Sequence, residues 1–377
     1  MEDDSGAARE MGMREMIPSP RTLSITSGGD QQRGFALLAV LILSGLCMLM
    51  ITQITYRHQL EKSANMKSLI QDQTILLALS AESWARKLLL DDVEDNQFDS
   101  LEDTWAQPLP VLPVEGGYLS GCIRDLQGRF NLNNLESYDT DSWNDELASL
   151  FSSDLDAYLN LLAILELDSS EIRAAVIVDW TDADTEALIP GSLEDAEYSL
   201  EEPSRLSANQ YMVSLDELAG LPSYSSADVL RLYPYLTALP GRIPVNVNTA
   251  TMELLMALSS AMDRFVVEEI LLERPFETLD DFYTFVAQST GYMSEAEMRE
   301  QLPPYMISTD SEYFELLTSV NLLDQQIKMR SLIQRQGGNA SVFSREFQSV
   351  PVVLSDTDDD VVSTFDCYTL IPEEDES

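Results

Sequence analysis

"QQRGFALLAVLILSGLCMLMITQITYRHQL", from Gln31 to Leu60, decides the architecture. Phe35 to Tyr56 makes 22 residues without a charge. About 20 apolar residues cross the hydrocarbon core of a bilayer, so the run is long enough for a transmembrane helix. A cleaved secretory signal has a shorter apolar stretch followed by a small-x-small site. No such site follows here. Instead Leu60, Met66, Leu69, Ile70, Ile75, Leu76, Leu79, Trp84 and Leu88 recur mostly at steps of three and four, the period of a one-sided helix. No proline or glycine interrupts Leu46 to Leu90. One helix from Phe35 to Leu90 would be about 80 Å long, apolar all round in its first half and amphipathic in its second.

The remaining composition narrows the chemistry. The chain has 377 residues, with 65 acids against 22 bases and a net charge of -43. Such a surface repels phosphate backbones and disfavours nucleic acid as a partner. The single histidine, His58, lies beside the membrane run. The soluble part therefore has neither a Ser-His-Asp or Cys-His site nor a histidine-rich metal centre. With no nucleophile-base pair in view, the chain reads as a non-enzyme. Three cysteines, Cys47, Cys122 and Cys367, make no disulfide framework and have no zinc spacing. One Cys122–Cys367 bridge is open to them in an oxidising compartment.

Downstream, "DDVEDNQFDSLEDTWAQPLPVLPVEGG" reads as a loop leading to a sheet edge. "YLSGCIRDLQGRFNLNNL" alternates and carries an Asp-Leu-Gln-Gly turn, the pattern of a β-hairpin. From Ser137 to Tyr305 the texture becomes helical, with cap-like starts at Ser142, Ser153, Ser214, Ser225, Thr278 and Ser294, each followed three residues on by an acid. Extended runs return in "EYFELLTSVN", "QIKMRSLIQR" and "ASVFSREF". These predict an antiparallel sheet on which the amphipathic half of the long helix packs. Asp179, Asp182, Asp184, Glu194 and Asp195 bracket a Pro-Gly turn. Crowded hard oxygens suit calcium, and a solvated acidic loop is the other reading. The loop is no EF-hand, because positions six and twelve from Asp182 are Ala187 and Leu193.

"RGFALLAVL" at the head of such a helix resembles the type IV pilin and pseudopilin class. "DLQGRFNLNNL", "AAVIVDWTDADTEALIPGSLEDAEY", "SANQYMVSLDELAGLP", "IPVNVNTATMELLMAL" and "ERPFETLDDFYTF", in that order, resemble the K-type minor pseudopilins of type II secretion. The resemblance implies an α+β pseudopilin fold: a long N-terminal helix on an antiparallel sheet, with a large inserted all-α domain. The implied layout is a leader at 1–34, a transmembrane part at 35–56, the amphipathic helix and first hairpin at 57–136, and the α-domain at 137–305. Core strands at 306–350 and an acidic tail at 351–377 complete it. It further implies cleavage by the prepilin peptidase between Gly34 and Phe35, with N-methylation of Phe35.

The class usually carries a glutamate at the fifth mature position, which pairs with the amine of the subunit above. Here the residue is Ala39, which points to the first-placed, topmost subunit of the fibre. Implied partners are I- and J-type minor pseudopilins, the major pseudopilin, the peptidase and the inner-membrane secretion platform. The amino terminus would be cytoplasmic and the soluble parts periplasmic. Orientation rests on the resemblance, since Arg57, Lys62 and Lys67 on the far side blunt the charge signal. Association of the family's α-domain with calcium favours the metal reading of the acidic loop. The nearest alternatives are a minor pilin of a type IV pilus and a membrane-anchored DNA receptor. The second arises because "NVNTATMELLMAL…FVVEEILLERPFETLDDF" resembles a helix-hairpin-helix module, although "SSAMDRF" lacks the Gly-x-Gly hairpin that meets phosphate.

Overall fold

The computed structural model describes residues 31–107, 111–135, 145–200, 202–323 and 325–350. Most of the expected leader, the Ser142 cap, Cys367 and the acidic tail lie outside the described residues. Helix α1 runs from Gln31 to Asp95. The chain divides into two compact units, Met1–Lys67 and Ser68–Ser377.

In the first unit the side chains from Phe35 to Lys67 are all exposed, with Phe35 at 76%. The helix there is long and apolar enough to cross a membrane. Its few polar side chains fold back onto the helix itself. Thr52 Oγ1 donates to the Met48 carbonyl at 2.8 Å and Thr55 Oγ1 to that of Ile51 at 2.9 Å. In a bilayer core a hydroxyl finds no water, so this internal bond is what makes threonine tolerable.

In the second unit the same helix turns one face to a sheet. Ala78, Ala81, Ala85 and Leu89 are buried at three- and four-residue spacing, on a face offset from the expected stripe: Leu60, Met66, Leu69, Leu76 and Trp84 are exposed, and only Leu79 and Leu88 of that stripe pack at the edge of this core. Short alanine side chains let the helix lie close on Leu119, Ile123, Phe314, Leu316, Val320, Met329 and Ile333. The sheet has the order β1-β2-β7-β8-β9, antiparallel throughout: β1 Leu112–Val114, β2 Gly117–Asp125, β7 Tyr313–Leu322, β8 Gln325–Gln336 and β9 Asn339–Val350. Polar anchors reinforce the packing. Glu82 on α1 accepts Arg345 Nε and Nη2, both at 2.7 Å, and Ser331 Oγ at 2.7 Å. Arg335 donates to the Leu89 carbonyl at 3.0 Å and to Asp99 at 2.6 Å.

The expected hairpin through residues 125–128 does not form. β2 pairs with β1 through a turn at Glu115-Gly116, Gly116 having φ +86°, and on its other side with β7. After Asp125, whose Oδ1 accepts the Gln127 amide at 2.8 Å, the chain leaves the sheet. Phe130 stacks on Tyr158 in the helical core, at a centroid distance of 5.9 Å. Asn131, Asn133 and Asn134 are buried, and their amides bind the carbonyls of Leu239, Gly241, Met212 and Ile243. An alternating "RFNL" looks like a strand, but its asparagines are built to satisfy a distant loop.

The inserted region holds α2 Asp145–Ile164, α3 Glu171–Thr181, α4 Asp195–Tyr198, α5 Ser226–Leu232, α6 Met252–Leu258, α7 Arg264–Glu273, α8 Leu279–Thr290 and α9 Glu295–Gln301. It is not purely helical. Two parallel two-residue ladders, β3 (Phe130–Asn131) on β4 (Leu236–Thr237) and β5 (Val245–Asn246) on β6 (Ile307–Ser308), close its ends. Ser214, Ser225, Thr278 and Ser294 sit at helix starts and accept amides there, as their spacing predicts. Ser153 instead falls inside α2. Asn246 ties the insertion to the sheet, donating to the Asp99 carbonyl, Asp125 Oδ2 and Ser311 Oγ.

Candidate functional site

The residues expected to carry chemistry fall in two places. The first is the head of α1. Gly34 lies within the helix, and Phe35 and Ala39 are exposed on it. No carboxylate lies between Phe35 and Tyr56.

The second is the acidic loop. Asp179 occupies the last turn of α3, Asp182 is its C-cap and Glu194 is the N-cap of α4. The turn at Pro190-Gly191, with Gly191 at φ +103°, lies between them. All three carboxylates are buried, and one oxygen of each lies within 4.8 Å of the others. Asp179 Oδ2, Asp182 Oδ1 and Glu194 Oε1 have no hydrogen-bond partner. The companion oxygens are used: Asp179 Oδ1 accepts the Leu188 amide at 2.9 Å, and Glu194 Oε2 accepts the Asp195 amide at 3.2 Å.

A buried carboxylate oxygen without a donor costs about 1–3 kcal/mol or more, and three facing one another add repulsion. Burial pushes the Asp182 carboxyl up to about 7, and Asp184, Glu194 and Asp179 push it the same way. Asp179 and Glu194 are also raised, chiefly by burial. Oxygens sharing one calcium at 2.3–2.6 Å lie at most about 5 Å apart, so the trio fits a hard divalent cation.

The two other expected ligands are placed differently. Asp184 accepts the Glu186 amide in a tight turn and acts on the trio through its charge. Asp195 faces Ser207, accepting its hydroxyl at 2.6 Å and its amide at 3.0 Å. That choice depends on a residue 12 positions away, which no local spacing reveals.

The helix-hairpin-helix-like stretch is capped by a carboxylate. Asp263 accepts the Val266 amide at the start of α7, where the related DNA-binding hairpin would offer amides to phosphate. Cys122 is buried in β2 and is disulfide-bonded; Cys47 is a free thiol.

One cluster was missed in the sequence. Asp92, Asp99 and Asp103 converge at the end of α1. Burial pushes Asp92 up to about 7, with Asp103 and Asp99 adding to the effect. Here Arg335 answers the charge, 3.3 Å from Asp92 and 2.6 Å from Asp99. The stretch reads as an ordinary acidic loop, and the arginine that answers its charge lies more than 200 positions away.

A membrane-length apolar helix that continues as the packing face of an antiparallel sheet, with a helical module inserted between its strands, defines a pseudopilin-class protein. Two family models, both described as type II secretion system protein K, match residues 128–241 and 245–302. Protein K of Aeromonas hydrophila is 30% identical over 334 residues, covering 84% of this chain and 96% of the relative. That of Pseudomonas aeruginosa is 29% identical, covering 84% and 92%. A crystal structure of the GspK-GspI-GspJ complex from enterotoxigenic Escherichia coli contains a chain similar in fold, with a TM-score of 0.63 and 25% identity. The match covers 74% of this chain and 96% of that one. The chain belongs to the type II secretion system protein K family, the K-type minor pseudopilins.

Proposed function

We propose that this subunit starts and caps a type II secretion pseudopilus, acting as a structural component rather than a catalyst. Residues 35–56 anchor it in the inner membrane, with the amino terminus cytoplasmic and the sheet and helical module periplasmic. It assembles with I- and J-type minor pseudopilins, as the related E. coli complex does, and then with the major pseudopilin. Prepilin peptidase cuts between Gly34 and Phe35 and methylates Phe35. The helical module takes calcium through Asp179, Asp182 and Glu194.

The observation that carries the tip assignment is Ala39. A charged carboxylate in the bilayer core costs about 2.5–3.5 kcal/mol unless paired. The class keeps a glutamate there to meet the amine of the subunit above. A chain without it gains nothing from a neighbour above and needs none. Immunogold labelling of overproduced fibres tests the assignment: label is expected at one end only, and label spaced along the shaft overturns it.

A further inference from the structure

The chain passes between the sheet and the helical module twice, where it leaves β2 after Asp125 and where it enters β7 at Tyr313. Backbone bonds tie the two passages: Leu126 donates to the Tyr313 carbonyl at 3.0 Å, and Asn246 to that of Gln127 at 2.8 Å. Asp125 stands where they meet. It is 8% exposed, and its carboxylate accepts from both sides. Oδ1 takes the Gln127 amide at 2.8 Å. Oδ2 takes Thr249 Oγ1 at 2.5 Å and Asn246 Nδ2 at 3.2 Å from the module, and Ser311 Oγ at 2.7 Å from the second passage.

The charges around this carboxylate are lopsided. Asp99 lies beside it, accepting the amide of the same Ser311 at 2.7 Å, and Asp92 and Asp103 stand with Asp99. Arg335 of β8 donates to Asp99 and Asp92 but not to Asp125. On β2, Arg124 faces Glu315 instead. In the second passage Glu312 turns to Gln336, and the Tyr313 phenol takes Gln334 Nε2. The module's own contribution, Thr249 and Asn246, is neutral. Asp125 is thus a buried carboxylate with donors but no counter-ion. Burial pushes its carboxyl up to about 6 and Asp99 adds to the rise, while the bonds from Thr249 and Ser311 hold it back. The two hydroxyls suit either form, because a hydroxyl that donates to a carboxylate can rotate to accept from a carboxylic acid.

We propose that Asp125 is a proton-operated clasp between the sheet and the helical module, tightened in mild acid and loosened at neutral pH and above. When the junction opens, water reaches the carboxyl and restores its ordinary acidity, so the closed junction holds the proton more firmly. A raised carboxyl contributes stability that is complete below the ordinary value of 3.8 and is lost as pH rises through about 6. No histidine of the second unit titrates in that window, since the chain's one histidine, His58, lies in the first. The pH of the surroundings therefore sets how freely the module moves against the sheet. The clasp needs neither the acidic loop nor the tip assignment.

Hydrogen exchange of the full chain in detergent tests this, read as protection factors so that the pH dependence of the exchange chemistry cancels. Peptides spanning 125–131 and 306–313 should be about tenfold better protected at pH 5 than at pH 8. Equal protection at both, or better protection at pH 8, overturns the clasp. Asp125→Asn cannot ionise, so it should keep the wild-type pH 5 protection at both values. A tenfold pH dependence that survives in this variant overturns the assignment to Asp125. Thr249→Val gives an independent reading, because it keeps the shape of the side chain and loses one bond to the carboxylate. That bond holds the carboxyl down, so the pH midpoint of protection should move upwards. An unmoved midpoint overturns the proposal.

Discussion

Asp182 carries a costly charge in the helical module, since burial and three carboxylates all work against it. A divalent cation would remove that cost, and only the folded loop brings the three oxygens together. Calcium at about a hundred times its Kd adds about 2.7 kcal/mol to a fold that alone can bind it. Asp182→Asn removes one ligand and one repelling charge together. Its melting temperature should therefore fall several degrees below wild type in calcium, and match or exceed wild type in chelator. Scanning calorimetry of the detergent-solubilised chain checks this, and the same shift in both conditions would leave the trio without a metal. The pair Asp184→Asn and Asp195→Asn sharpens the test. Neither belongs to the trio, so each should keep most of the calcium response.

At the level of elements, α1 and the sheet are joined by an apolar stripe and by carboxylates, among them Glu82, which meets both β8 and β9. Burial alone would raise the Glu82 carboxyl, but hydrogen bonds from Arg345 and Ser331 outweigh it and hold the group below its ordinary value of 4.5. A lowered carboxyl stabilises the fold above its unfolded pKa, and that contribution is lost as pH falls through the folded one. Glu82→Gln should cost about 1–3 kcal/mol at pH 7, and the gap from wild type should close as pH drops below 4.5. Denaturant melts at pH 7 and pH 3.5 measure both; a gap unchanged with pH would mean that the amide replaces the carboxylate fully.

The three long strands and four of the caps were legible in the sequence because each depends on spacing within a few residues, whereas the helical period of α1 was legible but not its buried face, where small alanines rather than the large apolar residues meet the sheet. The misread hairpin and the Asp92 cluster depend on partners about a hundred positions away or more, the Leu239 carbonyl for Asn131 and Arg335 for Asp99. The acidic loop falls between these cases. Its Pro-Gly turn brings Asp179 and Glu194 together in any reading, but only Ser207 decides that Asp195 looks elsewhere.

For the whole molecule, the head of α1 sets a polarity. Gly34 is helical here, yet glycine is about 1 kcal/mol less favourable than alanine in a helix. It also stands within the first turn, where backbone amides lack partners and frayed ends are ordinary. A peptidase that must unwind its substrate would therefore find the proposed cut beside a residue that unwinds readily. The proposed cleavage would leave an amine on Phe35 that could meet the glutamate of a subunit added below. Ala39 leaves nothing to meet the amine of a subunit above. The chain thus offers one half of the pairing and lacks the other, which suits a starting point and not a link. Two substitutions separate the halves. Gly34→Leu should leave the precursor uncut, seen as the full-length mass with no methylated Phe35, and fibres should become several-fold fewer in cells carrying only this form. Ala39→Glu should be cut and methylated normally, with fibre number within about twofold of wild type, because the first subunit has no amine above it to find. Fibre counts by electron microscopy and intact mass of the purified chain give both readings. Normal fibre numbers from uncut Gly34→Leu protein would show that the amine plays no part in starting assembly.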